Sequence, residues 1–266
     1  DSAFGYKNQF EVKAKNKKVS IPTVDFGSFD LVFIQGSNPV VSAPNTQKII
    51  DGLKKTFVVY FGTTLNETCE YADLIIPSCS FLSKEDVRLS YGHELKSISQ
   101  AVKLKDENTI SEYEMANFLI EEFNLEKLKT QDEIISYYEN HKPILKDFDT
   151  FEFIEDMEIE PLYKEKKADN FYYITGKNKN SLNSQFAKDD FVYLHSSTNF
   201  KNDDVVKISS KYGNANFIVK IDDNIKSNCA FFFTGNKYAN YLTPALEDEI
   251  SNSAMYQEVL VQIELS

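Results

Sequence analysis

Tryptophan is absent from this 266-residue chain, glycine is scarce at 9 residues, and there are 3 cysteines and 3 histidines. Each shortage excludes something. Cys69, Cys79 and Cys229 include no CxxC pair, and their wide spacing does not suit a zinc or iron–sulfur site. An odd number of thiols without a secretory leader reads as reduced cysteines in a cytosolic setting. His93, His141 and His195 are scattered and form no HxxxH pair. The phosphate loop GxxxxGK[ST], the fingerprint GxGxxG and the nucleophile elbow GxSxG are missing too. Positive charge is also short, with 29 Lys and Arg against 41 Asp and Glu, a net charge of −12. That argues against a nucleic-acid surface and against binding to an anionic membrane. Apolar runs such as Phe57–Phe61 and Leu74–Pro77 are too short to span a bilayer. The first residues, Asp1-Ser2-Ala3-Phe4, show no basic-then-apolar signal pattern and no Met, so a processed form or an excised piece is expected.

What is present is a chain that can build a core. Hydrophobic residues make up 42%, with 15 Tyr and 21 Phe, and the length suits one large domain or two ordinary ones. Residues 1–29, with Lys13, Lys15, Lys17 and Lys18, read as solvated loop. Leu31–Ile34, Phe57–Phe61 and Leu74–Ile76 are short apolar runs that read as buried strands. Between the first two, Thr46–Lys55 carries Ile49, Ile50 and Leu53 at helical spacing. Apolar strands separated by helices predict a parallel sheet with helices on its faces. Ser111 and Glu114 form a capping box that opens a predicted helix over 111–128, with Ala116, Leu119, Ile120 and Phe123 facing inward. Thr130 and Glu133 repeat the box before a shorter helix.

Charge crowds into 149–170, which reads as a connection between domains. Beyond it the strand candidates are 171–175, 191–195, 204–209, 215–221, 229–233 and 258–265, with one helical turn near 244–250. Their short spacing predicts a closed or nearly closed barrel. The expected organisation is an α/β domain over 1–150, a linker over 151–170 and a β-barrel over 171–266.

The polar residues at strand ends are the candidate site. Gly36-Ser37-Asn38-Pro39 follows the first strand, where ligands of parallel sheets bind. Gly36 lets a ligand approach the backbone, and Asn38 both donates and accepts. A plain proline turn is the competing reading. Thr63, Thr64, Glu67, Thr68 and Asp73 can reach the same crevice, where a carboxylate suits a ribose hydroxyl or a guanine edge. Helix capping by Asn66 and a solvated Glu67 is the alternative. Arg88 and His93 offer a phosphate or pterin contact on a loop that reads equally well as solvated surface. Cys69 lies between Glu67 and Glu70, carboxylates that raise a thiol's pKa, so it reads as structural. His195 ends a strand and reads as a capping or core residue.

The order of these features resembles the C-terminal half of a molybdopterin oxidoreductase, the superfamily of formate dehydrogenases, nitrate reductases and dimethyl sulfoxide reductases. The residues that carry the likeness are "GSNPV", then "FVVYFGTTLNETCEYADLIIPS", then a β-rich part running from "YYITGKNKNSLNSQF" to "NYLTPALEDEISNSAMYQEVLVQIE". The family pattern is a strand into G-x-N-P, a T-E-T…A-D…L-P stretch, an E-G-T loop ending G-R, and a barrel carrying G-R and N-S. The resemblance implies a Rossmann-like domain followed by a double-psi, dinucleotide-binding barrel. It places Gly36, Asn38, Thr64, Glu67, Thr68 and Asp73, with Asn183 and Ser184 of the barrel, against the guanosine end of a molybdopterin guanine dinucleotide. No catalytic residue and no metal ligand are expected in this chain.

Departures from the pattern narrow the resemblance. Glu85-Asp86-Val87 and Tyr91-Gly92-His93 stand at the E-G-T and G-R positions, Gly176-Lys177 at the barrel G-R, and Leu182 where a His often precedes N-S. Loss of charge-assisted contacts, each about 1.5–3 kcal/mol, weakens the hold on a highly charged cofactor. This is similar to the branch represented by the large iron–sulfur subunit of NADH–quinone oxidoreductase (complex I). The expectation is a non-catalytic scaffold without bound cofactor. Its partners would be the upstream iron–sulfur part and other subunits of a respiratory complex, cytoplasmic and peripheral to the inner membrane. The alternatives are the dinucleotide-binding region of an active molybdenum or tungsten enzyme, such as a formate dehydrogenase, and a stand-alone binding module.

Overall fold

A computed structural model describes residues 19–88, 96–140, 170–179, 181–182, 185–186, 189–248, 253–257 and 259–266. Contacts group the chain into two compact units, one made of Lys18–Ile75 with Lys166–Ser266, the other of Asp1–Lys17 with Ile76–Glu165. The basic patch below residue 19, most of the 149–170 connection, His93, Asn183 and Ser184 lie outside the described residues.

In the unit that holds the candidate site, strands β1 (Leu31–Gln35) and β2 (Phe57–Gly62) run parallel, with Leu31 opposite Phe57 and Gln35 opposite Phe61. Strand β3 (Leu74–Pro77) completes a three-stranded sheet in the order β1-β2-β3. A short helix α1 (Pro39–Ser42) begins at Pro39, whose fixed φ and missing N–H suit a first helical position. Helix α2 (Thr46–Leu53) follows Asn45, a left-handed residue whose side chain accepts from the Lys48 N–H. Ile49, Ile50 and Leu53 pack on Ile34, Val58 and Tyr60 of the sheet and on Val24 and Phe26. The loop reading of residues up to 29 is thus corrected at its end. Phe26–Ser28 is a turn of 3-10 helix capped by Asp25 that puts Phe26 into the core.

The three apolar runs are strands, but they are not uniformly buried. Successive side chains of a strand face opposite sides. In β1 this buries Ile34 and leaves Leu31 and Phe33 exposed, while Leu74 and Ile75 of β3 are exposed as well. An unbroken apolar run therefore overstates how much of the sheet is covered.

The other part of this unit is a closed six-stranded barrel. Its strands are β6 (Phe171–Gly176), β9 (Phe191–Leu194), β10 (Val205–Ser209), β11 (Asn214–Ile221), β12 (Cys229–Phe233) and β13 (Val259–Leu265), in the order β10-β11-β9-β12-β6-β13. Parallel pairs β11/β9 and β12/β6 are bracketed by antiparallel ones. Alternation drives closure, because Val192 and Leu194, Val206 and Ile208, Phe217 and Val219, and Ala230 and Phe232 all point inward and are buried. A two-stranded ladder of β7 (Ser181–Leu182) and β8 (Gln185–Phe186) lies between β6 and β9 in the chain. The helical turn expected near 244–250 falls earlier, as a 3-10 turn at Ala239–Leu242, and Glu247 instead bridges to Ala254.

The second unit pairs β4 (Asp86–Arg88) with β5 (Ser97–Ser99) and carries helices α3 (Glu112–Glu122) and α4 (Gln131–Asn140). Ser111 and Glu114 exchange the two capping hydrogen bonds, and Thr130 and Glu133 do the same. Helix α3 is shorter than the predicted 111–128, since Asn124 turns left-handed after it. Met115 is its buried residue, and Phe123, expected to face inward, is exposed.

Candidate functional site

The strand-end residues form one hydrogen-bonded clasp. Asn38 is buried, its Nδ2 donates to Glu67 Oε2 at 2.8 Å, and its Oδ1 accepts from Thr68 Oγ1 at 2.9 Å. Thr68 is buried, and its oxygen lies 3.4 Å from the Val40 N–H at the start of α1. A buried amide must have its donor and acceptor satisfied. Here a carboxylate and a hydroxyl from the turn after β2 do so, locking that turn to the one after β1.

The second turn is held from inside. Asn66 caps the 3-10 turn Glu67–Tyr71 by accepting from the Thr68 N–H, and its Nδ2 donates to Tyr60 Oη at 2.9 Å. The Tyr60 hydroxyl donates to the Thr64 carbonyl at 3.0 Å. Burial and the neighbouring Cys69 raise the Tyr60 phenol, which stays a donor at neutral pH. The Cys69 sulfur lies 3.5 Å from the Asn66 N–H in this same cap, the position of a structural thiol.

Asp73 faces elsewhere. Its Oδ2 accepts from the Val58 N–H at 2.8 Å, and its own N–H donates to the Val58 carbonyl at 2.9 Å. The carboxylate ties the entry of β3 to β2. The structure thus brings Asn38, Glu67 and Thr68 together and places Asp73 on a backbone N–H. Gly36 and Thr64 lie on the exposed rim. Gly36 has φ +57°, a conformation that suits glycine, and open space where a side chain would be.

Sequence reasoning missed Lys237. Its backbone N–H donates to Asp190 Oδ1 at 3.0 Å, and its ammonium lies 4.8 Å from the centre of the Tyr238 ring. A hydrogen bond with Tyr238 is the main cause that raises its pKa, and the carboxylates of Asp190 and Glu67 add to it. A cation from the barrel therefore sits within electrostatic reach of the clasp. Only its place after Gly235-Asn236 in a loop following β12 hinted at this.

Two other polar groups carry less. Arg88 packs its guanidinium 5.2 Å from the Phe81 ring. His195, Ser197 and Asp223 are close, but His195 Nδ1 meets both the Ser197 hydroxyl and the Ser197 N–H, and the Asp223 contact at 3.8 Å is too long for a hydrogen bond. That is a local turn rather than a nucleophile–base–acid relay.

Comparison with known proteins follows the same two parts of the chain. The "Molybdopterin oxidoreductase" family matches residues 5–122, and the "Molydopterin dinucleotide binding domain" family matches residues 171–260. Both matches point to the molybdopterin oxidoreductase superfamily, each over less than half of the chain. Among curated relatives, the chain is 33% identical over 108 residues to "Probable oxidoreductase YoaE" of Bacillus subtilis, covering 39% of the chain and 16% of that protein. It is 36% identical over 63 residues to "Assimilatory nitrate reductase catalytic subunit" of Bacillus subtilis, covering 23% and 9%. It is 31% identical over 81 residues to "Nitrate reductase" of Symbiobacterium thermophilum, covering 30% and 11%. The chain thus spans a small part of each relative's length.

Among solved structures, "Acetylene Hydratase from Pelobacter acetylenicus" matches with a TM-score of 0.70 at 15% identity, over 92% of this chain and 46% of that one. At that identity the likeness is one of fold. These matches support the superfamily, and the narrower resemblance to the complex I iron–sulfur subunit is not what they show. Among the described residues no helix is long and apolar enough to cross a membrane.

Proposed function

We propose that this chain is the dinucleotide-holding C-terminal part of a molybdenum or tungsten oxidoreductase, of the broad class to which its nitrate reductase relatives belong. The observation that carries the reading is the clasp of Asn38 with Glu67 and Thr68, which joins the β1 and β2 turns beside an exposed polar rim. The residues present fit a phosphate-bearing ligand. Gly36, Ser37, Thr63 and Thr64 form an exposed rim of backbone and hydroxyl groups, and Lys237 adds a cation in a chain whose net charge is −12. In this reading Asn38, Glu67 and Thr68 hold the two turns in shape, and the rim and Lys237 meet the pyrophosphate. The cofactor supplies the redox chemistry, and the chain supplies binding and orientation.

Isothermal titration with guanosine diphosphate tests this. Binding is expected, weakened about tenfold by Lys237→Ala, because a charge-assisted hydrogen bond contributes roughly 1.5–3 kcal/mol. No heat at millimolar nucleotide sinks the reading, as does an intact parent polypeptide with neither molybdenum nor tungsten.

The second reading, a cofactor-free scaffold as in the large iron–sulfur subunit of complex I, is favoured by one observation. Asn38, Glu67, Thr68 and Asp73 already have partners within the chain and need no ligand to satisfy them. In that case the partners would be an upstream iron–sulfur part and neighbouring subunits of a respiratory complex on the cytoplasmic side of the membrane.

A further inference from the structure

Helix α4 borders a cavity of about 770 Å³ within the second unit. Its Gln131, Ile134, Ile135 and Tyr138 line one part, and residues of 79–87 with the start of α3 line much of the rest. The helix buries none of its 10 residues, whereas α3 buries Met115. Ile134, Ile135 and Tyr138 are only half-buried, because they meet the cavity rather than a packed core. Little apolar area is thus removed from water, and packing of an apolar face is what stabilises most helices. A helix of this length is marginal in water by itself.

Polar contacts near its two ends hold α4. Thr130 and Glu133 cap its first turn from within the same segment. Gln131 Nε2 donates to the Glu85 carbonyl at 3.4 Å, a long bond. Lys96 Nζ donates to the Tyr138 carbonyl at 2.6 Å, close to the C-terminus, where a cation also suits the helix dipole. A segment with few buried apolar groups opens at less cost than the whole fold. Cys79 lines the same cavity and is 2% exposed, so a reagent reaches its thiol only when a neighbouring segment moves. Gln131–Asn140 falls between the two family matches, 5–122 and 171–260, and so lies outside the matched parts of the chain.

We propose that α4 is a strap on this cavity, opening as one unit while the rest of the chain stays folded, and that its opening admits small molecules to the cavity wall and to Cys79. Closed, the strap shields the thiol. Open, it releases Gln131 from the Glu85 carbonyl and Tyr138 from Lys96, and water takes their places. The device is independent of the dinucleotide reading, since neither the clasp nor Lys237 takes part in it.

Alkylation by iodoacetamide, followed peptide by peptide in the mass spectrometer, tests this on the purified chain. Glu133→Ala removes the cap of α4 and should speed labelling of Cys79 about fivefold, the usual effect of a lost helix cap. Lys96→Met, which releases the other end, should speed it as well. Cys69 and Cys229, in the other unit, should label at wild-type rates. Labelling of Cys79 should depend only weakly on urea well below the unfolding midpoint, because opening a strap exposes little surface. Hydrogen exchange gives a second measurement, in which the α4 amides exchange together and faster than those of α3. Unchanged Cys79 labelling in both variants overturns the strap. So does labelling that follows global unfolding with its full urea dependence, and so do α4 amides as protected as those of α3.

Discussion

Asn38 Nδ2 and Glu67 Oε2 meet at 2.8 Å across 29 residues of chain, joining the turns at the ends of two parallel strands. The same amide takes the Thr68 hydroxyl on its other side. Asn38→Ala removes both contacts and leaves the buried Thr68 hydroxyl short of an acceptor. A loss of about 1–3 kcal/mol in urea unfolding is expected. Glu67→Gln keeps an oxygen facing Asn38 and should cost less. Equal stability of Asn38→Ala and wild type would show that the clasp contributes nothing.

Asp73 acts on the backbone of β2. Val58 is fully buried, and the Asp73 carboxylate receives its N–H. Asp73→Ala is expected to destabilise by about 1–3 kcal/mol, and Asp73→Asn by less because an acceptor remains. Hydrogen exchange gives the sharper check, since the Val58 amide should lose protection in Asp73→Ala and keep it in Asp73→Asn.

Helix α3 should respond to acid through its cap. A hydrogen bond from Lys105, followed by the Ser111 N–H, lowers the Glu114 pKa below the ordinary carboxylate value. A carboxyl whose pKa is lower when folded stabilises above its unfolded value, near 4.3, and this contribution is lost as pH falls through the folded pKa. Glu114→Gln should therefore flatten the stability profile below about pH 4.3 and leave its shape at neutral pH unchanged. Ser111→Ala removes the other half of the box, at a cost of about 1 kcal/mol.

Thiol reactivity should sort by burial. Cys79 is 2% exposed, and desolvation raises its thiol pKa. Mass spectrometry after brief alkylation of the folded chain should find Cys69 and Cys229 modified ahead of Cys79, and all three modified in urea. Early modification of Cys79 would contradict its place in the core.

The barrel depends on its aromatic centre. Phe232 is fully buried, stacked on Tyr173 and edge-on to Phe217, each at 5.0 Å. Phe232→Ala is expected to cost about 3–5 kcal/mol in thermal or urea unfolding, the range of a large aromatic removed from a core.

Much of this is legible in the chain because its causes are local. Ser111 with Glu114, and Thr130 with Glu133, are three residues apart, so a capping box can be read directly and is present. The barrel strands alternate at period two, and the candidates from Phe171 to Leu265 correspond to observed strands within a residue or so at their ends. Burial of β1 and β3 is not legible in the same way, because an apolar run does not say which of its two faces is covered. The end of α3 is marked only by Asn124, which takes the left-handed turn less readily than glycine and so is a weaker stop signal.

By itself the sequence determined the kinds of element, their order and the polar residues at the ends of two parallel strands. Only the tertiary structure decided what those residues touch. Whether Glu67 faces solvent, a ligand or Asn38 depends on how two turns come together. Whether the Tyr256 hydroxyl meets solvent or the Ser42 carbonyl depends on segments 214 residues apart coming together. Hydrogen bonds within a turn are written into a few consecutive residues. Those across the fold exist only once hydrophobic burial has brought distant segments together.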